Sequence, residues 1–252
     1  MGSRETICAL APRDKAVSLL EQSAVRNRLL KRLAPSDFAL LQPHLRSLPT
    51  ELRQGLIQPH QPIRDLFFPE AGYASITTSG NSKVEVGIIG PEGVVGAAPV
   101  LLGSDRTPYD HFVQNAGEMI AIGAAELTSA TERSMTLRKL LLRFVQTLLV
   151  QTAQTAFANA SYNIEVRLAR WLLMCHDRVI GDELTVTHDF LSFMLGVQRT
   201  TVTLALQMLE GNRLIKARRG RIEVLDRAGL LAVAGDSYGV PEAEYIRLID
   251  EA

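Results

Sequence analysis

The chain has 252 residues, 46% hydrophobic and 21% charged, with 27 Lys plus Arg against 27 Asp plus Glu. That length and composition give a globular protein with room for two domains, and the zero net charge argues against a uniformly polybasic binder, so attraction to nucleic acid must be local. Cys8 and Cys175 are the only cysteines and form no CxxC pair, which argues against a disulfide framework, a zinc ribbon or a cysteine-ligated iron–sulfur cluster.

Residues 1–22 read as a loosely attached arm without the sustained apolar core of a signal peptide. The richest apolar run, Leu137 to Val150, contains Arg138, Lys139, Arg143 and Gln146. It is shorter than the ~20 apolar residues a membrane span needs, so a cytoplasmic protein with no membrane partner is expected. Asn27 to Leu33 and Ser36 to Leu45 read as two short amphipathic helices, the second capped by Ser36.

From Glu51 to Gly123 the texture changes to short β-prone segments: Leu52 to Ile57, Asp65 to Phe68, Tyr73 to Thr78, Lys83 to Ile89, His111 to Asn115 and Glu118 to Ile122. Gln58-Pro-His-Gln-Pro, Pro69-Glu-Ala-Gly, Ser79-Gly-Asn-Ser and Gly103-Ser-Asp punctuate them, which predicts an antiparallel sandwich or barrel. Val84-Glu85-Val86 alternates as a half-exposed strand does. Gly87, Gly90, Gly93 and Gly96 recur every third residue, but no Lys-Ser/Thr follows and no strand-to-helix context surrounds them. They read as tight turns rather than a phosphate loop. The five histidines show no metal-ligand spacing, so no metal site is expected.

Ala124 to Arg133 reads as a short helix and Ser134 to Asn159 as a long one, about 40 Å at ~1.5 Å per residue. The long helix carries two apolar stripes. Leu137, Leu141, Phe144 and Leu148 form one, assigned here to dimerisation; Leu142, Val145, Leu149 and Ala156 form the other. One stripe can cover the β-rich domain while the other faces a second copy, and a core helix of a monomer is the alternative. Ile164 to His176 reads as a further helix with Arg167 and Arg170 outward. Cys175-His176-Asp177 holds nucleophile, base and acid by name, but neighbours on a helix point apart, so no catalytic residues are expected.

Leu184 to Ile222 carries the strongest signal. Thr187 can cap a helix whose apolar residues Phe190, Leu191, Met194 and Leu195 fall at helical spacing; Gly196 supplies a turn; a second helix follows, burying Val197, Val202, Ala205, Leu206 and Leu209. Gln198, Arg199, Thr200 and Thr203 line its polar N-terminal side, residue types that suit base edges and phosphates. Two short strands follow, joined by Arg218-Arg219-Gly220-Arg221, a basic wing. Helix, glycine, helix alone also fits a ligand-sensing module that acts through protein partners; the basic hairpin favours DNA, because it gives those charges a phosphate to meet. Arg227 to Ala234 and Pro241 to Asp250 read as closing helices.

The order of parts resembles the cyclic-AMP receptor and fumarate–nitrate regulator (Crp/Fnr) superfamily. The resemblance lies in Arg167-Leu-Ala-Arg-Trp-Leu-Leu, in Leu195-Gly-Val-Gln-Arg-Thr-Thr-Val, in Leu209 to Ile215 with the arginines after it, in Phe67-Phe-Pro-Glu-Ala-Gly and in Gly90-Pro-Glu-Gly-Val-Val-Gly. It implies an α+β chain: a β-roll sensor domain of the cyclic-nucleotide-binding-like, double-stranded β-helix type over residues 23–133, a long dimerisation helix over 134–160, a winged helix-turn-helix over 161–235 and a helical tail over 236–252. It further implies a homodimeric transcriptional regulator that reads a near-palindromic operator with the helix starting near Gln198. Double-stranded DNA, a second copy and RNA polymerase are the implied partners.

By the same resemblance Arg199 stands at the guanine-reading position, and Thr187, His188 and Thr201 fall where phosphate contacts are made. Thr200 and Leu204 replace the glutamate and arginine of the archetype, so the operator is expected to differ. In the sensor, Gly96 is followed by Ala97 where the cyclic-nucleotide signature has glutamate, and Arg106-Thr107 stands for its Arg-Ser pair. A site without its ribose acceptor loses specificity, so the effector is left open, with Arg106 and Thr107 its candidate contacts and no iron–sulfur cluster expected.

Overall fold

The computed structural model describes residues 20–80 and 83–251; the arm expected over residues 1–22 lies outside the described residues up to residue 19. Helix α1 (Arg28–Arg32) starts at Asn27, whose Oδ1 accepts from Leu30 N. The Asn27 amide donates to the carbonyls of Pro69 and Gly93, so one fully buried side chain caps a helix and pins it to the sheet. Helix α2 (Pro35–Leu41) follows. Ser36 sits inside its first turn rather than capping it, because Pro35 with its fixed φ takes the first helical position. The expected continuation to Leu45 breaks at Gln42–His44, and Arg46–Thr50 is strand β1.

Strands β2 (Gly55–Ile57), β3 (Asp65–Thr77), β4 (Glu85–Ile89) and β5 (Asp110–Gly123) complete an antiparallel sheet of order β1-β5-β3-β4, with β2 also on β5. Two pairs of expected strands are therefore one long strand each. Pro69-Glu-Ala-Gly forms bulges against Asn115 to Glu118 instead of a turn. Gly72 has φ +75°, and a Cβ there would stand 2.2 Å from the Asn115 carbonyl oxygen, so the bulge requires glycine. The glycine run turns as expected: Gly93 N donates to Gly90 O at 3.0 Å and Gly96 is left-handed. It leads into a short helix that sequence patterning misses, α3 (Ala97–Leu101).

Helix α4 (Ala124–Arg133) leads into α5 (Met135–Ser161), 27 residues long and capped by Ser134, which accepts from Leu137 N. Leu137, Leu141 and Phe144 are buried among the β-roll residues Leu66, Phe68, Ile120 and Ile122, and Leu148 packs at the edge of the same core. The stripe assigned to dimerisation is thus the one spent on the chain's own core. The uncovered face of α5 is a different line of residues: Met135, Lys139, Gln146, Leu149, Ala153, Ala156 and Ala160 are exposed, with Leu142 half-buried among them.

The C-terminal part comprises α6 (Ile164–His176), β6 (Glu183–Leu184), α7 (His188–Leu195), α8 (Arg199–Gly211), β7 (Ile215–Arg218), β8 (Arg221–Val224) and α9 (Arg227–Ala234). Helices α6 and α9 have the expected bounds, each set by a side-chain cap, Asn163 and Asp226. Strand β6 adds an unexpected third member to the wing sheet, order β6-β8-β7. A short helix α10 (Val240–Tyr245) and a wider turn over Ile246–Asp250 bring the chain back to the sensor, where Arg28 pairs with Asp250 at 2.5 Å. No helix among the described residues is long and apolar enough to cross a membrane.

Helices α6 and α7 lie on the outer face of the sheet, and Tyr73, Ile88 and Phe112 share one core with them. The Phe112 and Phe190 rings meet edge-on at 6.3 Å. This docking overturns two sequence expectations. Arg170 is 6% exposed rather than outward, and Glu85 is the inward member of Val84-Glu85-Val86 because a second domain covers the strand face that would otherwise meet water.

Candidate nucleic-acid interface

Thr187 Oγ1 accepts from Phe190 N at 3.2 Å and starts α7; Gly196, at φ +63°, ends it in the left-handed conformation that the tight turn demands. Gln198 then precedes α8, which buries Val202, Ala205, Leu206 and Leu209. Two links fix α8 to α7. His188 Nδ1 lies 3.2 Å from Thr203 Oγ1, and Arg199 Nε lies 3.2 Å from Asp189 Oδ1.

The expected contact residues fall into two groups. Gln198, Arg199 and Thr200 are exposed at the start of α8, with Thr201 and Thr203 half-buried beside them. Leu204, 63% exposed, and Gln207 extend the outward stripe by one turn. Gln207 is absent from the sequence-derived set, although its spacing from Thr203 and Leu204 places it on that face. Thr187 and His188 already have protein partners, which orient them at the α7 end of the turn.

The wing forms the second group. Glu210 Oε1 accepts from Ala217 N at 3.0 Å and joins the end of α8 to β7. Arg218 and Arg221 face each other in the ladder, with Arg219-Gly220 as the turn, and Gly220 has φ +77°. Arg221 lies 3.4 Å from Glu183, while Arg218 and Arg219 are exposed and form no ion pair among the described residues. Unpaired guanidinium groups on a rigid two-residue turn suit phosphate, which the planar fork meets with two parallel hydrogen bonds.

The remaining candidates do not converge. Arg106 is exposed and held by Asp105 at 2.8 Å, whereas Thr107 is buried, so the two do not present a common binding edge. Cys175 is buried against Tyr73, and burial pushes its thiol well above the ordinary range. His176 bonds Asp182 and Arg227 instead. Among the described residues no three or more His, Cys, Asp or Glu side chains are grouped to hold a metal ion.

Residues 166–233 match the family model of the Crp-like helix-turn-helix domain. No curated protein matches the sequence. The fold is similar to that of a Crp/Fnr-family transcriptional regulator from Eubacterium rectale, with 16% identity over 82% of this chain and 97% of that one and a TM-score of 0.65. FixK2 of Bradyrhizobium japonicum gives 13% identity, 76% and 98% coverage and a TM-score of 0.65. The regulator TTHB099 of Thermus thermophilus gives 17%, 75%, 96% and 0.60. Residues 166–233 are thus a Crp-like helix-turn-helix domain, and the order of β-roll, long helix and C-terminal domain is the fold of the Crp/Fnr-family regulators to which the chain is similar.

Proposed function

We propose that the chain acts as a homodimer that reads a near-palindromic duplex, with residues 23–133 as sensor, 134–160 as the pairing helix and 161–235 as the reading domain. The observation that carries the DNA half of this proposal is the pairing of an exposed polar start of α8 with the unpaired Arg218 and Arg219 of the wing. Arg199, Thr200, Thr203 and Gln198 face the base edges, while Thr187, His188, Thr201 and the wing arginines face the backbone. Two such units about 34 Å apart match one turn of DNA.

The dimer half rests on the uncovered face of α5. Met135, Leu142, Leu149 and Ala156 recur every seven residues, and Lys139, Gln146, Ala153 and Ala160 fall four after each, a two-stranded seam. Met135 is 72% and Leu149 55% exposed, which is costly for side chains of that size unless a partner covers them. The alanines of the far half let two helices approach closely.

The two contact groups separate by salt. Each phosphate contact contributes about 0.9 to the slope of log affinity against log salt, and a dimer carries every wing twice. Arg218→Ala or Arg219→Ala is expected to weaken specific and random duplexes alike and to reduce the slope by about 2. Fluorescence-anisotropy titrations at several salt concentrations measure it, and an unchanged slope in both variants would remove the wing from the interface.

A further inference from the structure

Glu85 lies on β4 under α6, 6% exposed. Its Oε1 accepts from Trp171 Nε1 at 2.8 Å, and its Oε2 is 2.6 Å from Ser75 Oγ. Ser75 Oγ also meets Gln114 Oε1, while Gln114 Nε2 has no partner among the described residues. A serine hydroxyl has one proton to give, and here two oxygen acceptors face it. With Glu85 ionised and the amide oriented in this way, one of the two contacts is oxygen against oxygen with no proton between.

Two arrangements close the network. In the first, Glu85 carries a proton and donates it to Ser75, which donates to Gln114 Oε1; this is the amide orientation observed. In the second, Glu85 is ionised, the amide turns over, Gln114 Nε2 donates to Ser75 and Ser75 donates to the carboxylate. The second still buries an unpaired negative charge, a cost that falls once water reaches β4.

The surroundings do not neutralise that charge. Strand β3 presents Tyr73 and Ser75, β5 presents Gln114, and α6 presents Arg170, Trp171 and Cys175, with Arg178 just beyond it. Arg170 donates to Ser237 O and Thr155 Oγ1, and Arg178 is paired with Glu92 at 2.7 Å. Glu242 of α10 acts on the same two arginines. Burial holds Tyr73 and Cys175 protonated, and it pushes His111, on β5, down to about 4 and so leaves it neutral. Desolvation pushes Glu85 up to about 7, against the lowering influence of Ser75, Trp171, Arg170 and Arg178. A small crevice lined by Glu85, Gly87, Thr155, Arg167, Arg170 and Met194 opens between β4, α5 and the C-terminal domain beside this network.

We infer that Glu85, Ser75 and Gln114 form a one-proton latch between the β-roll and α6: the protonated carboxyl holds the helix-turn-helix domain on the sheet, and its ionisation lets the domain go. The inference is independent of which duplex that domain binds. Its sign follows from linkage. In the docked state burial holds Glu85 at about 7, above the ordinary 4.5 that it approaches where water reaches it, so the docked state binds the proton more tightly. The stabilisation is complete below the ordinary carboxylate range and is lost as pH rises through about 7. Between pH 6 and 8 the docking equilibrium weakens about tenfold.

Trp171 is the only tryptophan in the chain and reports the latch directly. In the full chain, its accessibility to acrylamide quenching is expected to rise with a midpoint near pH 7. Glu85→Gln accepts from Trp171 and donates to Ser75 without a charge, so it is expected to stay shielded throughout. Ser75→Ala removes a hydrogen bond from both forms of Glu85, but the charge-assisted one to the carboxylate is the stronger, so the midpoint is expected to move upward. A flat wild-type titration overturns the latch, as does a wild-type transition surviving in Glu85→Gln, which would belong to another group. Should Glu85→Gln fail to fold by circular dichroism, the Ser75→Ala midpoint decides: an upward shift supports the latch and an unmoved midpoint overturns it.

Discussion

Leu149→Glu is expected to convert the proposed dimer into monomers and to lower affinity for a two-half-site duplex at least a hundredfold. Leu149 sits mid-way along the uncovered face of α5, where the proposed two-stranded seam would set it against its own symmetry mate. Glutamate there brings two like charges together in a partly desolvated place and removes the apolar contact on both sides. The fold should tolerate the change, since Leu149 is largely exposed within its own chain. The loss in DNA affinity follows from avidity: linking two reading heads raises affinity by about 10²–10⁴ over one. Analytical ultracentrifugation and anisotropy on the same sample check both parts. A Leu149→Glu protein that stays dimeric would put the interface elsewhere. Leu141→Glu, by contrast, strikes the β-roll core and should reduce folded protein instead.

Arg199→Ala is expected to erase preference at one base pair of each half-site while leaving the salt dependence nearly unchanged. Among the described residues the Arg199 guanidinium is tethered only by an exposed ion pair with Asp189, a contact worth under about 1 kcal/mol. It can therefore swing to a guanine at little cost. A bidentate arginine–guanine contact discriminates by about 1–3 kcal/mol, roughly 5- to 150-fold per half-site. Lysine keeps the charge but loses the fork, so Arg199→Lys should recover little of the preference. Competition binding with single-base-substituted duplexes measures it. A variant whose ranking of duplexes matches the wild type would assign the reading to another residue on the stripe, with Gln207 and Leu204 the next in reach.

The helix-turn-helix and wing were legible because local chemistry fixes them. Thr187, Gly196, Asn163 and Asp226 each act within a few residues of their own position, and caps and turns need no knowledge of the rest of the fold. What sequence patterning missed depends on which face meets which. Both stripes of α5 are leucine-rich, and only the packed sheet shows that Leu137, Leu141 and Phe144 face inward. Pro69-Glu-Ala-Gly has the composition of a turn, yet long pairing to β5 absorbs it as bulges. Glu85 and Arg170 look like solvent-facing charges in sequence and are buried because a second domain covers them. The effector candidates Arg106 and Thr107 were carried by resemblance alone, and the structure does not bring them to one edge.

Selection of duplexes from a random pool by the 252-residue chain is the decisive measurement. One near-palindromic motif is expected to be enriched, its half-sites centred about 10 base pairs apart and bound by two chains per duplex. Enrichment of no motif, or of a single unrepeated half-site bound by one chain, would contradict reading by a homodimer.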